Sequence, residues 1–579
     1  MKRISSYTLV ALVVILSMLM AACAAGQTET VVPEPTATTA SQPEQPEPTE
    51  APVIEEPTEA PPAERKVATI IWTQEFDTLN PLYTSMWFSY VTQQLWLAWA
   101  WEFDEANQPF PKLVTEIPSI ENGGISEDGL VITMHLRDDI VWSDGTPVTS
   151  EDFKFTYEMA IDPANIVAST YPYEKIESID TPDAQTVVIN FAEPFAPWLA
   201  TLWRGFLPAH ILRPVYEADG TLDNAEWNLA PTVGCGPYVF AEWESGSFAR
   251  FVVNENYWGQ KPKIDEIFFR FVPDDASQVA ALVAGDGDLG AFIAYSDVPT
   301  MQAAGVSIQI EPSGFNEGLY FMVNEERSNP AMLDVRVRQA IAMGIDREAI
   351  NEDLLLGLTK VPASYWDSLP FYNDPPLENY PYDPEAAMAL LDEAGWVDSD
   401  GDGVRDKDGV ALSLTYGTNI REIRQDTQAV IQQQLGEIGI QVEILSYDDD
   451  LFFAGYGEGP ASSGELDIQE WSDTPAFPDP DIYYWLCSEI PSDDYPTGTN
   501  SFFLCDEELD ALIQLQSTQV NADERQKTIS QINQIFHNKV YWLGLWQDPD
   551  VWAVGPRLGV VKFSGVTPFF DIVNWDLQQ

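Results

Sequence analysis

SEDGLVITMHLRDDIVWSDGTPVTSEDFKFTYE, residues 126–158, is the stretch from which the fold is read. Its first part alternates: Leu130, Ile132, Met134 and Leu136 fall on one face, Val131, Thr133 and His135 on the other. Period two marks a strand with one buried face. Asp144-Gly145 then makes a tight turn, with Trp142 before it and Pro147 after it. Thr149 or Ser150 caps a helix whose first turn sets Glu151 and Asp152 against the positive end of the dipole. Phe153, Tyr157 and Ala160 follow at helical spacing. The reading is a strand, a turn and a capped helix, with Trp142 packed at the joint. Arg137 beside Asp138 and Asp139 reads as surface charge pairing, worth little energy.

Around this stretch lie 579 residues, enough for roughly three or four domain-sized units. Apolar residues make up 45% and aromatics 12%, including 19 Trp, so a large core can be buried. Lys and Arg number 28 against 92 acids, a formal charge of -64. Such a field repels phosphate backbones, which argues against nucleic acid as a partner. The acids are spread along the chain, as suits a protein kept soluble outside the cell.

The first 22 residues read as a targeting segment: Lys2 and Arg3, then an apolar run from Thr8 to Met20 too short to span a bilayer comfortably. From Gln27 to Arg65 the chain is rich in Pro, Glu, Thr and Ala and has no aromatic residue. It cannot bury enough surface to fold, and it reads as a tether over 23–66. At Lys66 the texture changes to KVATIIW, a β-rich start. Beyond it DVRVRQAIAMGIDREAI (334–350), DPEAAMALLDEAGW (383–396) and 426–439 read as helices among strand-like runs, which argues α/β lobes.

Two matches to chemical motifs need weighing. Gly285 to Gly290 fits G-x-G-x-x-G, but a helix-like run precedes it and two Asp would face a pyrophosphate, so it reads as a loop after a helix. Asp398, Asp400, Asp402 and Asp406 stand at positions 1, 3, 5 and 9 of a calcium-loop pattern, with Gly403 at its sixth. Its twelfth position is Gly409, not Glu, so calcium competes with a bare solvated hairpin. The three histidines, His135, His210 and His537, are far apart, and no H-E-x-x-H, C-x-x-C or G-x-S-x-G is present. An enzyme is not expected, and no cofactor other than that calcium. Cys487 and Cys505 flank a Pro- and Asp-rich loop and are expected to bridge in an exported chain, while Cys235 reads as a small core residue.

The run DGLVITMHLRDDIVWSDGTPVTSEDF resembles the signature of family 5 extracellular solute-binding proteins, the peptide, nickel and oligosaccharide receptors of bacterial ABC importers. Leu19-Met20-Ala21-Ala22-Cys23 resembles a lipobox, which implies a diacylated Cys23 anchored to the outer face of the cell membrane or in the periplasm. The family resemblance implies a two-lobed α/β periplasmic-binding-protein-like fold. Lobe I takes 67–103, 204–310 and 546–579, a small inserted domain takes 104–203, and lobe II takes 311–545. Crossings near Glu311 and Trp546 form the hinge.

It further implies a monomer that binds a small peptide or peptide-like solute between its lobes and hands it to importer permease subunits. An oligosaccharide is the alternative; a surface hydrolase or an adhesive lipoprotein would be readings of other classes. Peptide-binding relatives place an amine-binding Asp in the segment matched by DIQEWSDTPAFPDPDIYYW (467–485). Trp471 and Asp479-Pro480 match that segment, whereas counting back from Pro480 puts the Asp near Ala476 or Phe477 and leaves Asp473 as the candidate. The expected ligand-binding residues are Trp471 and Asp473, Tyr320 and Asn324 at the first strand of lobe II, Trp546 at the return crossing, and Phe76 facing them from lobe I.

Overall fold

The alternation at 130–136 becomes the strand Val131–His135, with Ile132 and Met134 buried. The helix Ser150–Ile161 starts at Thr149, whose N–H donates to Asp152 Oδ2 at 2.9 Å. Asp152 therefore does more than face the dipole. It is buried, and its other oxygen accepts from the Ala209 N–H at 2.8 Å, tying the helix to the chain that leaves the inserted domain. Trp142 is fully buried against Phe206, ring centroids 5.0 Å apart. Arg137 closes its fork on Asp139 at 2.8 and 2.7 Å.

The computed structural model describes residues 65–311, 313–473 and 477–578. Cys23, the targeting segment and nearly all of the Pro/Glu/Thr-rich stretch lie outside them. In chain order the principal strands are β1 (Val67–Trp72), β2 (Val131–His135), β3 (Ile176–Asp183), β4 (Thr186–Phe191), β5 (Tyr238–Glu244), β6 (Phe248–Val253), β7 (Glu266–Phe271), β8 (Leu289–Ala291), β9 (Ser307–Glu311), β10 (Asn316–Phe321), β11 (Ser413–Asn419), β12 (Gln441–Tyr447), β13 (Ile468–Asp473), β14 (Trp542–Gln547) and β15 (Asp550–Val554).

They form three main sheets. The first runs β9-β15-β8-β1-β7-β6-β5, with β1 parallel to β7 and β8, and β15 antiparallel to β8 and β9. Its central strand is covered on both faces: Ile70 and Trp72 join a core with Phe88 and Leu95, while Ile71 packs with Ala281 and Leu282. This is why VATIIW is nearly all apolar. The second sheet, β12-β11-β13-β10-β14, packs Leu319 and Phe321 with Ile341 of helix Val335–Gly344 and Ile431 of helix Glu422–Glu437. The third, β2-β4-β3, is antiparallel and belongs to the inserted domain.

Two crossings join the first sheet to the second, Glu311 to Asn316 and Gln547 to Asp550. They lie side by side: the Asp548 N–H donates to Phe315 O at 2.9 Å, and Ser313 Oγ donates to Asp548 O at 2.9 Å. The return therefore falls after Trp546, which still pairs with Glu317 inside β14. The expected boundary at 103/104 cuts a hairpin, because Trp101–Phe103 pairs with Pro109–Pro111. That hairpin stays with lobe I, where the Phe103 N–H donates to Thr567 Oγ1 at 2.9 Å. The glycine-rich stretch 285–290 is a loop, as read: Gly285 ends the helix Asp275–Ala284 at φ 78°, and β8 follows.

Candidate functional site

The second sheet meets the hinge at one end. β10 and β13 pair antiparallel from Asn316 opposite Asp473 to Phe321 opposite Ile468, so Asp473 lies at the crossing end. Two residues earlier Trp471 faces Gly318, and its ring stacks on Tyr320 at 4.4 Å and 17°. Phe502 lies against Tyr320 at 4.8 Å, and Trp485 stacks on Phe502 at 3.8 Å. Beside it Gly318 leaves room for the Trp542 ring, since a Cβ there would lie 2.1 Å from Trp542 Nε1. The stack is a rigid aromatic wall in which Trp471 is the half-buried member.

Asp473 Oδ2 accepts from the hydroxyls of Tyr365 at 2.5 Å and Tyr484 at 2.9 Å. The Tyr365 hydroxyl lies 3.4 Å from that of Tyr320 and 3.2 Å from that of Tyr484. Burial first, and then the Asp473 charge, hold all three phenols well above the usual tyrosine range. They stay protonated, and those of Tyr365 and Tyr484 act as donors to the carboxylate. The result is a half-buried acid held in one orientation.

Lobe I answers with Arg204. Its guanidinium lies 5.8 Å from the ring centroids of both Tyr90 and Trp99, and Arg204 Nη2 donates to Phe477 O of lobe II at 3.3 Å. Phe477 in turn packs on the outgoing crossing, since a Cβ at Gly314 would fall 2.3 Å from its ring. Arg204 and Phe477 therefore meet beside the hinge.

Of the residues expected to bind, Trp471, Tyr320 and Asp473 come together. Tyr320 is 1% exposed and stands behind Trp471, so it supports the wall instead of forming its surface. Three others are corrected. Trp546 is 1% exposed in the core of lobe II with Leu543 and Leu545, where a bulge between Glu317 and Gly318 turns it inward. Phe76 packs edge-on against Phe271 and Trp243 at 5.2 and 5.6 Å, deep in lobe I. Asn324 lies past the far end of β10, and its side chain is spent on the turn: Oδ1 accepts from the Glu326 N–H, and Nδ2 donates to Phe503 O.

Tyr365, Tyr484 and Arg204 were missed. Tyr484 sits within the quoted segment 467–485 but reads there as one more core aromatic, and Tyr365 lies in an unmarked loop. Arg204 did carry a signal, a lone cation in the apolar run WLATLWRGFLPAHIL. Asp479, matched to the relatives' motif, is structural: Arg525 closes on it with two hydrogen bonds of 2.5 and 2.6 Å.

The remaining expected sites lie elsewhere. Cys487 and Cys505 are joined, with Cα atoms 4.7 Å apart, and Cys235 is a buried free thiol pushed up to about 12 by desolvation. Carboxylate oxygens of Asp398, Asp400 and Asp402 lie within 4.8 Å of one another, a set that suits a hard cation. Asp406 is not among them, because its Oδ2 accepts from the Ser399 N–H and hydroxyl. The histidines have separate structural surroundings; His210, for example, meets Asp144 at 3.1 Å.

Comparison with known proteins agrees with this architecture. The family model of bacterial extracellular solute-binding proteins, family 5 (middle), matches residues 94–490. The oligopeptide-binding protein AppA of Bacillus subtilis is 29% identical over 326 residues, 55% of this chain and 58% of that protein. The match thus spans less than two thirds of this relative. The ABC transporter substrate-binding protein CtaP of Listeria monocytogenes superposes with a TM-score of 0.75 at 23% identity, over 89% of this chain and 100% of that one. NikZ of Campylobacter jejuni, solved with Ni(L-His), does so with a TM-score of 0.71 at 24% identity, over 89% and 100%.

Proposed function

We propose, from the premise that the chain belongs to the bacterial extracellular solute-binding proteins of family 5, that it is the receptor of an ABC importer and captures a small peptide or peptide-like solute between its lobes. The observation that carries this reading is the acid beside the hinge. Asp473 is held by two tyrosine hydroxyls at the end of an aromatic wall, where the two lobes are joined by adjacent crossings. A carboxylate so oriented suits the amine of a peptide, and Trp471 offers a face to its side chains. The name of the oligopeptide-binding relative points the same way. Closure of the lobes around the solute stabilises the closed population and presents it to the permease subunits. The receptor acts as a monomer tethered through an acylated Cys23.

The test is a thermal-shift and calorimetric screen of di- to pentapeptides, cello- and xylo-oligosaccharides and metal complexes. Peptides are expected to raise the melting temperature saturably without being consumed. Asp473→Asn should weaken free peptides about tenfold or more, in line with the loss of a charged hydrogen bond, and leave their N-acetylated forms unchanged. Equal losses for both forms would remove Asp473 as the amine ligand. If Trp471→Ala changes no affinity, the wall is not part of the site. The half-buried Trp471 ring also favours a second reading, an oligosaccharide receptor of the same family, which holds if only sugars bind.

A further inference from the structure

Lobe II is held to the rest of the protein by more than its two crossings, because it also grips the inserted domain. The Tyr171 hydroxyl donates to Asp481 Oδ2 at 2.7 Å, and the Tyr171 ring stacks on Tyr483 at 5.5 Å. Beside this pair the Ala196 N–H donates to Ser517 O at 2.9 Å. Val520 fits against Gly129, where a Cβ would lie 2.9 Å from Val520 Cγ1. Three separate segments of the insert thus meet two of lobe II. Hydrogen bonds, a ring stack and apolar packing all contribute.

Each side of the contact is fixed by its own body. In lobe II, Asp481 is 4% exposed, and its Oδ1 accepts from Gln516 Nε2 at 3.4 Å. Gln516 Oε1 accepts in turn from Arg525 Nη2 at 2.8 Å, and Arg525 is forked onto Asp479. A buried carboxylate is costly unless hydrogen-bonded, and a bond to a charged acceptor is among the stronger ones. In the insert, Phe195 packs edge-on against Tyr171 at 6.0 Å, and Ala196 follows it in the chain. The insert itself is built into lobe I. Asn256 Nδ2 donates to Ser143 O at 2.7 Å, the Leu207 N–H donates to Thr156 Oγ1 at 2.8 Å, and Phe153 stacks on Phe206 at 4.9 Å. Lobe I, insert and lobe II therefore form a closed ring, covalent at the two crossings and non-covalent between Tyr171 and Asp481.

We infer that the inserted domain is a clasp: Tyr171 and Ala196 hold Asp481 and Ser517 of lobe II, and the lobes part only when this grip lets go. The clasp needs no solute, so the empty protein already visits the closed form, and a solute supplies the rest of the closure. That the clasp gates a solute rests on the receptor reading; the grip itself does not. In a receptor it slows entry, which must wait for the ring to open, and it slows departure for the same reason.

The experiment is single-molecule energy transfer on the mature protein without solute, with dyes attached through azido residues at exposed positions. One pair replaces Glu177 of the insert and Asp523 of lobe II; the control pair replaces Glu177 and Glu244 of lobe I. The 177–523 pair is expected to show a short-distance population in the empty protein. Tyr171→Phe, which keeps the ring and loses the hydroxyl, should lower the ratio of short to long distance about tenfold, and Tyr171→Ala should lower it further. In an Asp481→Ala background the effect of Tyr171→Phe should shrink, because the two groups act as one pair. Melting curves check that the variants fold, and the 177–244 distance should stay the same in all of them. An empty wild type with no short-distance population, or variants that leave the ratio unchanged, would overturn the clasp. So would a shift in the 177–244 distance, which would place the insert with lobe II. A protein that shows the clasp yet binds nothing in the solute screen would lose the receptor reading and keep this inference.

Discussion

Among single residues, Asp550 makes the sharpest claim on solution behaviour. It opens β15 at the return crossing and pairs with Glu311, the last residue of β9. It is 7% exposed, and its Oδ2 has no partner among the described residues. Burial, then the charges of Asp548 and Glu311, push its carboxyl up to about 8; burial and Glu105 push Glu311 up to about 7. Tyr295 also faces this group, and Arg421, 3.5 Å from Asp548, is the nearby cation. An acid whose folded pKa lies above its unfolded one keeps a proton in the fold that the unfolded chain releases. Its contribution to stability is therefore present below about pH 4, the unfolded range, and is lost as pH rises towards about 8. Asp550→Asn should accordingly melt at least about 2 °C above the wild type at pH 8.5, with the difference vanishing at pH 4. Parallel melting curves at every pH would show that the carboxyl is ionised in the fold.

At the scale of elements, the loop closed by Cys487 and Cys505 docks on the inserted domain through its preceding segment. Tyr171 stacks on Tyr483 at 5.5 Å, and its hydroxyl donates to Asp481 at 2.7 Å. Removing the bridge frees a loop of about this length at a cost of about 3 kcal/mol. Cys487→Ser with Cys505→Ser should therefore lower the melting temperature and weaken the grip of lobe II on the insert. Peptide mapping of the unreduced protein should recover one linked pair and an unlinked Cys235; alkylation of both Cys487 and Cys505 would contradict it. The acidic turn 398–406 is a separate element far from the hinge in sequence. Its three clustered carboxylates repel one another unless a cation or water intervenes. We propose calcium there for stability alone: chelation should lower the melting temperature and leave solute affinity unchanged. An unaltered melting curve would mean a bare hairpin.

At the scale of the whole molecule, the proposed receptor role requires two bodies to move about crossings only a few residues long. Small-angle scattering should show the radius of gyration fall when a solute saturates the protein, and an unchanged curve would remove hinge closure from the account. The proposed anchoring through Cys23 belongs to this scale as well. Cys23→Ala should move the protein from the membrane fraction of its cell to the soluble one; persistence in the membrane would remove the lipid.

The sequence by itself determined the elements and their order. The alternation at 130–136, the Thr149 cap and the apolar run of β1 are local patterns, set by which faces must be buried, and each led to the element observed. The family resemblance supplied the two lobes and named Trp471 and Asp473 as candidates in lobe II; the strand register then set Asp473 at the crossing end. Only the tertiary structure decided which aromatic and charged side chains gather beside the hinge. In so aromatic a chain, Phe76 and Trp546 are indistinguishable by type from Trp471, and burial alone separates them. Tyr365 and Tyr484 lie 108 and 11 residues from Asp473 and meet it only through folding. Arg204 is the clearest case. Local sequence shows a cation in an apolar run, but that it lies against Tyr90 and Trp99 and reaches the Phe477 carbonyl of the other lobe is a fact about neighbours in space.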